Sequence, residues 1–354
     1  MCKRGLLLLV LNLLGMVVAE PQVPCLFIFG DSLSDNGNNN NLATLAKSNY
    51  QPYGIDFPDG PTGRFCNGRT AVDFIAQFLG FDHFIPPFAN ITGRDILSGV
   101  NYASGGSGIR DETGANLGQH ISLSMQVVNF HATVEQLKIV LGSKTSVADY
   151  LSKCLYSVNI GVNDYANNYF IPEYYSTSRL YTPEQFATVL IQQYSEQLKI
   201  MYNYGARKVA LMGLFQYGCV PLDLAQNNGA CNSTVNSAID LFNAKLPSLV
   251  DDLNKILDGA KFTFVNNTAI SNDIGMNGQA YGFTVANAAC CSVLTGVETC
   301  RIHGSTCQNR SEYVFWDQAH PTEAFHLINA KGMYNSSSSS SYTYPVNIQQ
   351  LAQL

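Results

Sequence analysis

Strand-like and helix-like segments alternate along this chain without a tight hairpin between neighbouring strands. That pattern predicts an α/β protein, a three-layer α/β/α sandwich around a five-stranded parallel sheet. Three observations carry the expectation. Apolar runs of strand length recur at 25–30, 98–103, 154–160, 208–214 and 262–265. Amphipathic helical patterns separate them. Three of the runs end in polar, glycine-containing turns, as strands do where they leave the carboxyl edge of a parallel sheet.

The first run, Leu26-Phe27-Ile28-Phe29, stops at Gly30-Asp31-Ser32 and opens into the polar loop Asp35 to Asn41. A helix is expected from Arg69 to Leu79, with Val72, Ile75, Phe78 and Leu79 on one face and Gly80 as its stop. Gly99 to Ser104 runs into Gly105-Gly106-Ser107-Gly108, and a helix from about Met125 to Leu141 follows. Cys154 to Ile160 ends in Gly161-Val162-Asn163-Asp164, where Asp164 is expected to cap the turn. Thr182-Pro183-Glu184-Gln185 is a capping box with proline at the first helical position, opening a helix that stops at Gly205. Lys208 to Leu214 is the next strand. Val235, Ile239, Phe242, Leu246, Leu249, Leu253 and Ile256 predict one long helix, kinked at Pro247. Phe262 to Val265 is the last strand, and Pro321 to Gly332 a final helix. Ser336 to Ser341 is a low-complexity tract, expected as a solvated loop.

Residues 1–19 have the form of a signal peptide. Lys3 and Arg4 precede an apolar stretch from Leu6 to Val18, and Val17-Val18-Ala19 offers a cleavage site. That stretch falls short of the roughly 20 residues a membrane span needs, so no integral membrane segment is expected. With no linker between 25 and 334, residues 20–354 are read as a single domain. The balance of 26 acidic against 20 basic residues, with no basic run, argues against nucleic acid. Sequons at Asn90, Asn232, Asn266, Asn309 and Asn335 fit a secreted, extracellular glycoprotein. Export makes disulfides expected. Cys2 lies in the leader, and the odd number remaining leaves at least one thiol free. Cys25 and Cys154 sit in apolar runs and read as buried small hydrophobes. Cys219 with Cys231 closes a short loop, and Cys290, Cys291, Cys300 and Cys307 can form two bridges. No spacing suits a metal ion.

The chemistry lies at the strand ends. A parallel sheet brings Ser32, the Gly105-Gly106 turn and Asn163-Asp164 to one edge. A hydroxyl, backbone N–H groups and a carboxamide there are the parts of an acyl-transfer site. Asp317 and His320 supply a carboxylate and an imidazole three residues apart. The imidazole would take the Ser32 proton and the carboxylate would orient it. Rival motifs fail. Gly105-Gly106-Ser107-Gly108-Ile109 lacks the final glycine of a nucleophile elbow, and there is neither a P-loop nor an HExxH. His83, His120, His131, His303 and His326 read as surface or packing residues.

With these residues in view, the chain resembles the plant GDSL esterase/lipases of the SGNH hydrolase superfamily. Phe29 to Asn39, Gly99 to Ile109, Ile160 to Asp164 and Asp317 to Ala324 match four of their ordered blocks. The resemblance implies a flavodoxin-like sheet and no cofactor. It implies Ser32 as nucleophile with His320 and Asp317, and an oxyanion hole from the Ser32 and Gly106 backbone N–H groups and the Asn163 side chain. The substrate it implies is a small-molecule or lipid carboxylic ester. Loops at 34–66 and 290–312 are expected to shape the pocket. Two other outcomes suit the same residues: transfer of the acyl group to an alcohol, and a non-catalytic secreted binding or defence glycoprotein. Acyl preference and oligomeric state are encoded in none of these motifs.

Overall fold

The computed structural model describes residues 20–336 and 342–354. The leader at 1–19 and the serine tract from Ser337 onward lie outside the described residues. Four parallel strands form the centre: β1 (Leu26–Gly30), β2 (Leu155–Asn159), β3 (Lys208–Met212) and β4 (Lys261–Val265), adjacent in that order. A second, two-stranded sheet pairs β5 (Val285–Ala289) with β6 (Tyr313–Phe315). The chain returns as β7 (Thr343–Tyr344), antiparallel to β4.

The run at 98–103 lies along the free edge of β1 as a bridged segment rather than a full strand. Ile28 N donates to Val100 O at 2.9 Å, Tyr102 N to Ile28 O at 2.7 Å, and Ser104 N to Gly30 O at 3.0 Å. Its outer neighbour is Pro86-Pro87, and prolines have no N–H to extend a ladder. Counting this segment second in the chain, the parallel order is 2-1-3-4-5, that of a flavodoxin-like sheet.

Side chains alternate across the sheet. Phe27, Phe29, Tyr156, Val158, Val209, Leu211, Phe262 and Phe264 join one core with α2 (Leu123–Leu141), α3 (Pro183–Asn203), α4 (Ser233–Asn243) and α5 (Leu246–Ile256). Leu26, Ile28, Leu155, Ala210, Met212 and Val265 join the other. There they meet α1 (Ala71–Leu79), α6 (Asn267–Met276), α7 (Glu323–Asn335) and α8 (Ile348–Gln353). Strands covered on both faces read as near-continuous apolar runs rather than alternating ones, here interrupted by the buried Ser157 and Thr263. Truncating Phe27, which has no exposed surface, to alanine costs about 3–5 kcal/mol.

Two expectations change. The helix expected from 235 to 256 is two helices, α4 and α5, and Pro247 falls in the first turn of the second. A proline N–H would be unbonded there anyway, so the residue starts a helix instead of bending one. Cys25 and Cys154 are joined to each other. The parallel register that sets Leu26 beside Leu155 brings the preceding pair to 4.8 Å between Cα atoms.

Candidate active site

Ser32, Asn163 and the Gly105-Gly106 turn follow β1, β2 and the 98–103 segment at one edge of the sheet, and buried carboxylates stitch them together. Asp35 accepts hydrogen bonds from the backbone N–H groups of Gly37 (2.8 Å), Asn38 (2.8 Å) and Gly105 (2.9 Å). It thereby ties the loop after Ser32 to the glycine turn. Asp164 does not cap its own turn. Its carboxylate accepts from Ile109 N (2.7 Å), Arg110 N (3.1 Å) and Thr113 Oγ1 (2.8 Å). A Cβ on Gly108 would stand 2.6 Å from that carboxylate, so glycine is required. Gly106 has φ +78°, where only glycine is unstrained. The Asn163 amide donates to Ser107 O at 3.0 Å and its carbonyl accepts from Asn167 at 2.7 Å. The backbone N–H groups of Ser32 and Gly106 make no hydrogen bond among the described residues.

The histidine arrives from the turn between β6 and α7. His320 Nε2 lies 2.9 Å from Ser32 Oγ, and its Nδ1 lies 2.8 Å from Asp317 Oδ2. Asp317 Oδ1 accepts from the Ala319 and His320 backbone N–H groups at 2.9 and 2.7 Å, closing the turn that turns the imidazole toward Ser32. The Tyr53 hydroxyl donates to Asp317 Oδ2 at 2.6 Å. Phe65 lies against the His320 ring, 4.9 Å between centroids. Glu298 Oε1 stands 3.6 Å from His320 Nε2, on a loop held by the Cys290–Cys307 and Cys291–Cys300 disulfides.

Electrostatics follow from this packing. Burial works against charge on His320, but the carboxylates of Asp317, Glu298 and Asp31 outweigh it and hold its pKa up at about 9. Burial lifts Asp31 to about 7, offset in part by the Leu33 N–H. Burial likewise lifts Asp35 and Asp164 to about 6 against their backbone donors. A serine hydroxyl within reach of an imidazole that a carboxylate orients can be deprotonated as it attacks a carbonyl carbon.

Ser32, His320 and Asp317 lie within hydrogen-bonding reach of one another, and Asn163 bonds the turn that carries Gly106. Sequence reasoning missed Tyr53, Phe65 and Glu298. They reach Asp317 (Tyr53) and His320 (Phe65 and Glu298) from the two loops expected to shape the pocket, but no spacing identifies the particular side chains. Arg64 helps explain how the first loop is held. It makes a buried two-point ion pair with Asp73 of α1 at 2.8 Å and lies over the Phe57 ring. Cys66, in the same loop, is a buried free thiol. Among the described residues no group of three His, Cys, Asp or Glu side chains could hold a metal ion, and no helix is long and apolar enough to cross a membrane.

The family model described as GDSL-like Lipase/Acylhydrolase matches residues 26–333. The GDSL esterase/lipase At1g29660 of Arabidopsis thaliana is 52% identical, across 100% of this chain and 98% of the relative. At1g29670 of the same plant, also a GDSL esterase/lipase, is 53% identical across 95% of this chain and 93% of its own. Among solved structures, a catalytic mutant of Axe2, an acetylxylan esterase from Geobacillus stearothermophilus, aligns at TM-score 0.42 and 13% identity. That alignment covers 87% of this chain and 91% of that one.

Proposed function

The chain belongs to the GDSL-like lipase/acylhydrolase family, and we propose that this ester hydrolase is a secreted serine esterase working through an acyl-enzyme on Ser32. The observation that carries the reading is the continuous path from Ser32 Oγ through His320 to Asp317, with contacts of 2.9 and 2.8 Å. His320 takes the hydroxyl proton as Ser32 attacks the ester carbonyl, then delivers it to the departing alcohol. Asp317 holds the ring in the tautomer that leaves Nε2 free to accept and stabilises the imidazolium that forms. In this reading the oxyanion is met by the unbonded N–H groups of Ser32 and Gly106 and by the Asn163 amide. Water repeats the sequence in reverse and frees the acid. Residues 20–354 act as one hydrolase domain in this reading.

Export is supported by the leader-like segment at 1–19 and by the disulfides Cys25–Cys154, Cys219–Cys231, Cys290–Cys307 and Cys291–Cys300. Among the sequons, Asn90, Asn309 and Asn335 are exposed, whereas Asn232 and Asn266 are half-buried helix caps. The first three are the proposed glycan carriers. A fluorophosphonate probe should label Ser32 in the native protein, with label and p-nitrophenyl acetate hydrolysis both absent in folded Ser32→Ala. Hydrolysis that persists in that variant would overturn the assignment.

A further inference from the structure

Three carboxylates stand near His320, and they are not equally satisfied. Asp317 accepts from the Ala319 and His320 N–H groups and from Tyr53, and Asp31 accepts from the Leu33 N–H. Glu298 differs. Among the described residues neither of its carboxylate oxygens accepts a hydrogen bond, and neither is sealed from solvent. Its side chain is 31% exposed, with Oε1 3.6 Å from His320 Nε2.

The position of this carboxylate is built, not incidental. Gln318 N donates to Glu298 O at 2.9 Å. Two residues on, Cys300 is bridged to Cys291, and its N–H donates to the Tyr53 hydroxyl at 3.1 Å. Tyr53 donates in turn to Asp317. The loop that carries Glu298 is thus tied to the same turn that sets His320.

What meets Glu298 follows from where the alcohol must leave. His320 Nε2 hands its proton to the departing oxygen, which must come within about 3 Å of that nitrogen. The departing oxygen and Glu298 Oε1 are then no more than about 7 Å apart. A hydroxyl two or three carbons along the alcohol spans that gap with one hydrogen bond. A carboxylate can only accept, and a half-buried one is costly to dehydrate without a donor. A plain alkyl alcohol would dehydrate it and offer none, and an anionic alcohol would be repelled. A cationic alcohol would pair with it, but an imidazolium forms at Nε2 during attack and would compete for the same carboxylate. A neutral hydroxyl supplies the missing donor and leaves the negative charge in place for the imidazolium.

We infer that Glu298 selects the alcohol portion of the ester by accepting a hydrogen bond from a hydroxyl two or three carbons beyond the ester oxygen, so that the substrate is an ester of a diol or polyol. The inference rests on the esterase reading at Ser32.

Full-length protein is assayed at pH 8 on 2-hydroxyethyl acetate against n-propyl acetate, which differ by a hydroxyl in place of a methyl group. A second pair, acetylcholine against 3,3-dimethylbutyl acetate, differs in charge at constant shape. The hydroxylated ester should have the higher kcat/KM by about tenfold or more, and the second pair should show no such preference for the cation. Both esters of a pair meet the same imidazole, so their ratio cancels any change in His320 itself. Glu298→Leu should bring the hydroxyl ratio to about unity, and Glu298→Gln, which keeps the shape and a neutral acceptor, should leave an intermediate value. A ratio near unity in native protein that labels at Ser32 and hydrolyses p-nitrophenyl acetate overturns the inference and leaves the esterase reading intact. So does a ratio that neither variant changes, or a preference for acetylcholine alone. Absence of both labelling and hydrolysis overturns the esterase reading, and the inference with it.

Discussion

The stretch from Cys290 to Cys307, which backs His320, is held by covalent cross-links. The stretch from Gly105 to Thr113, across the site, is held by the buried carboxylates of Asp35 and Asp164. The first carries long side chains that must press on an imidazole from outside the sheet. It has little secondary structure of its own, so disulfides and the small core around Tyr53 and Trp316 supply its rigidity. In the proposed function the second presents backbone N–H groups in a fixed direction. Hydrogen bonds from neighbouring amides to one carboxylate do that, while glycines let the chain approach. The difference teaches that the stretch backing the proposed base is held by bonds indifferent to pH and the stretch proposed to meet the oxyanion by groups that titrate.

The largest test of that contrast is chemical. His320→Gln should lower kcat by on the order of 10⁵-fold or more. Asn163→Ala, on the other side, should cost about 10²–10³-fold. Pre-steady-state kinetics with p-nitrophenyl acetate would compare them, and equal losses would erase the distinction between base and oxyanion roles.

Next in size is stability. Cys291→Ser with Cys300→Ser removes a cross-link and should lower unfolding free energy by about 2–4 kcal/mol, read by denaturant titration. Asp35→Asn keeps the shape but leaves a donor where Gly105 N–H needs an acceptor. Its loss should show in kcat more than in stability.

The pH dependence separates the sides further. With the His320 pKa held at about 9, kcat/KM should climb with pH into the alkaline range. Glu298→Gln, by removing a nearby negative charge, should move that limb to lower pH. Stability should run the other way. Asp35 and Asp164 have folded pKa values of about 6, above the ordinary 3.8. The folded state therefore binds more protons in that window, and stability falls as pH rises through it. The favourable charge on His320 is fully present below its ordinary 6.5 and is lost as pH rises through about 9. Tm should fall in two steps from about pH 4 to pH 9, and Asp35→Asn should shrink only the lower one. A Tm that rises over this range would contradict the assignment of raised carboxyls.

The smallest expected effect is that of Tyr53→Phe, which removes one hydrogen bond to Asp317. It should cost about 1–2 kcal/mol of transition-state stabilisation, with a shift in the kcat/KM profile that a purely structural role would not produce.

Much of this was legible in the amino-acid order because it depends on local patterns. Buried strands must be continuously apolar, their ends must turn with glycine, and a carboxylate three residues before an imidazole closes a turn of its own. Ser32, the Gly105-Gly106 turn, Asn163, Asp317 and His320 could thus be put forward as candidates, with Gly106 singled out only by the family resemblance, and the sheet that gathers them anticipated. What depends on distant pairs could not. The bond between Cys25 and Cys154 follows from strand register, which looks the same in sequence as two buried thiols. The break before Pro247 follows from how two helices pack. Tyr53 and Glu298 become meaningful only when separate elements close around one space. Periodicity reports which face a residue turns inward, whereas a partner at long sequence separation is chosen by the packed chain as a whole.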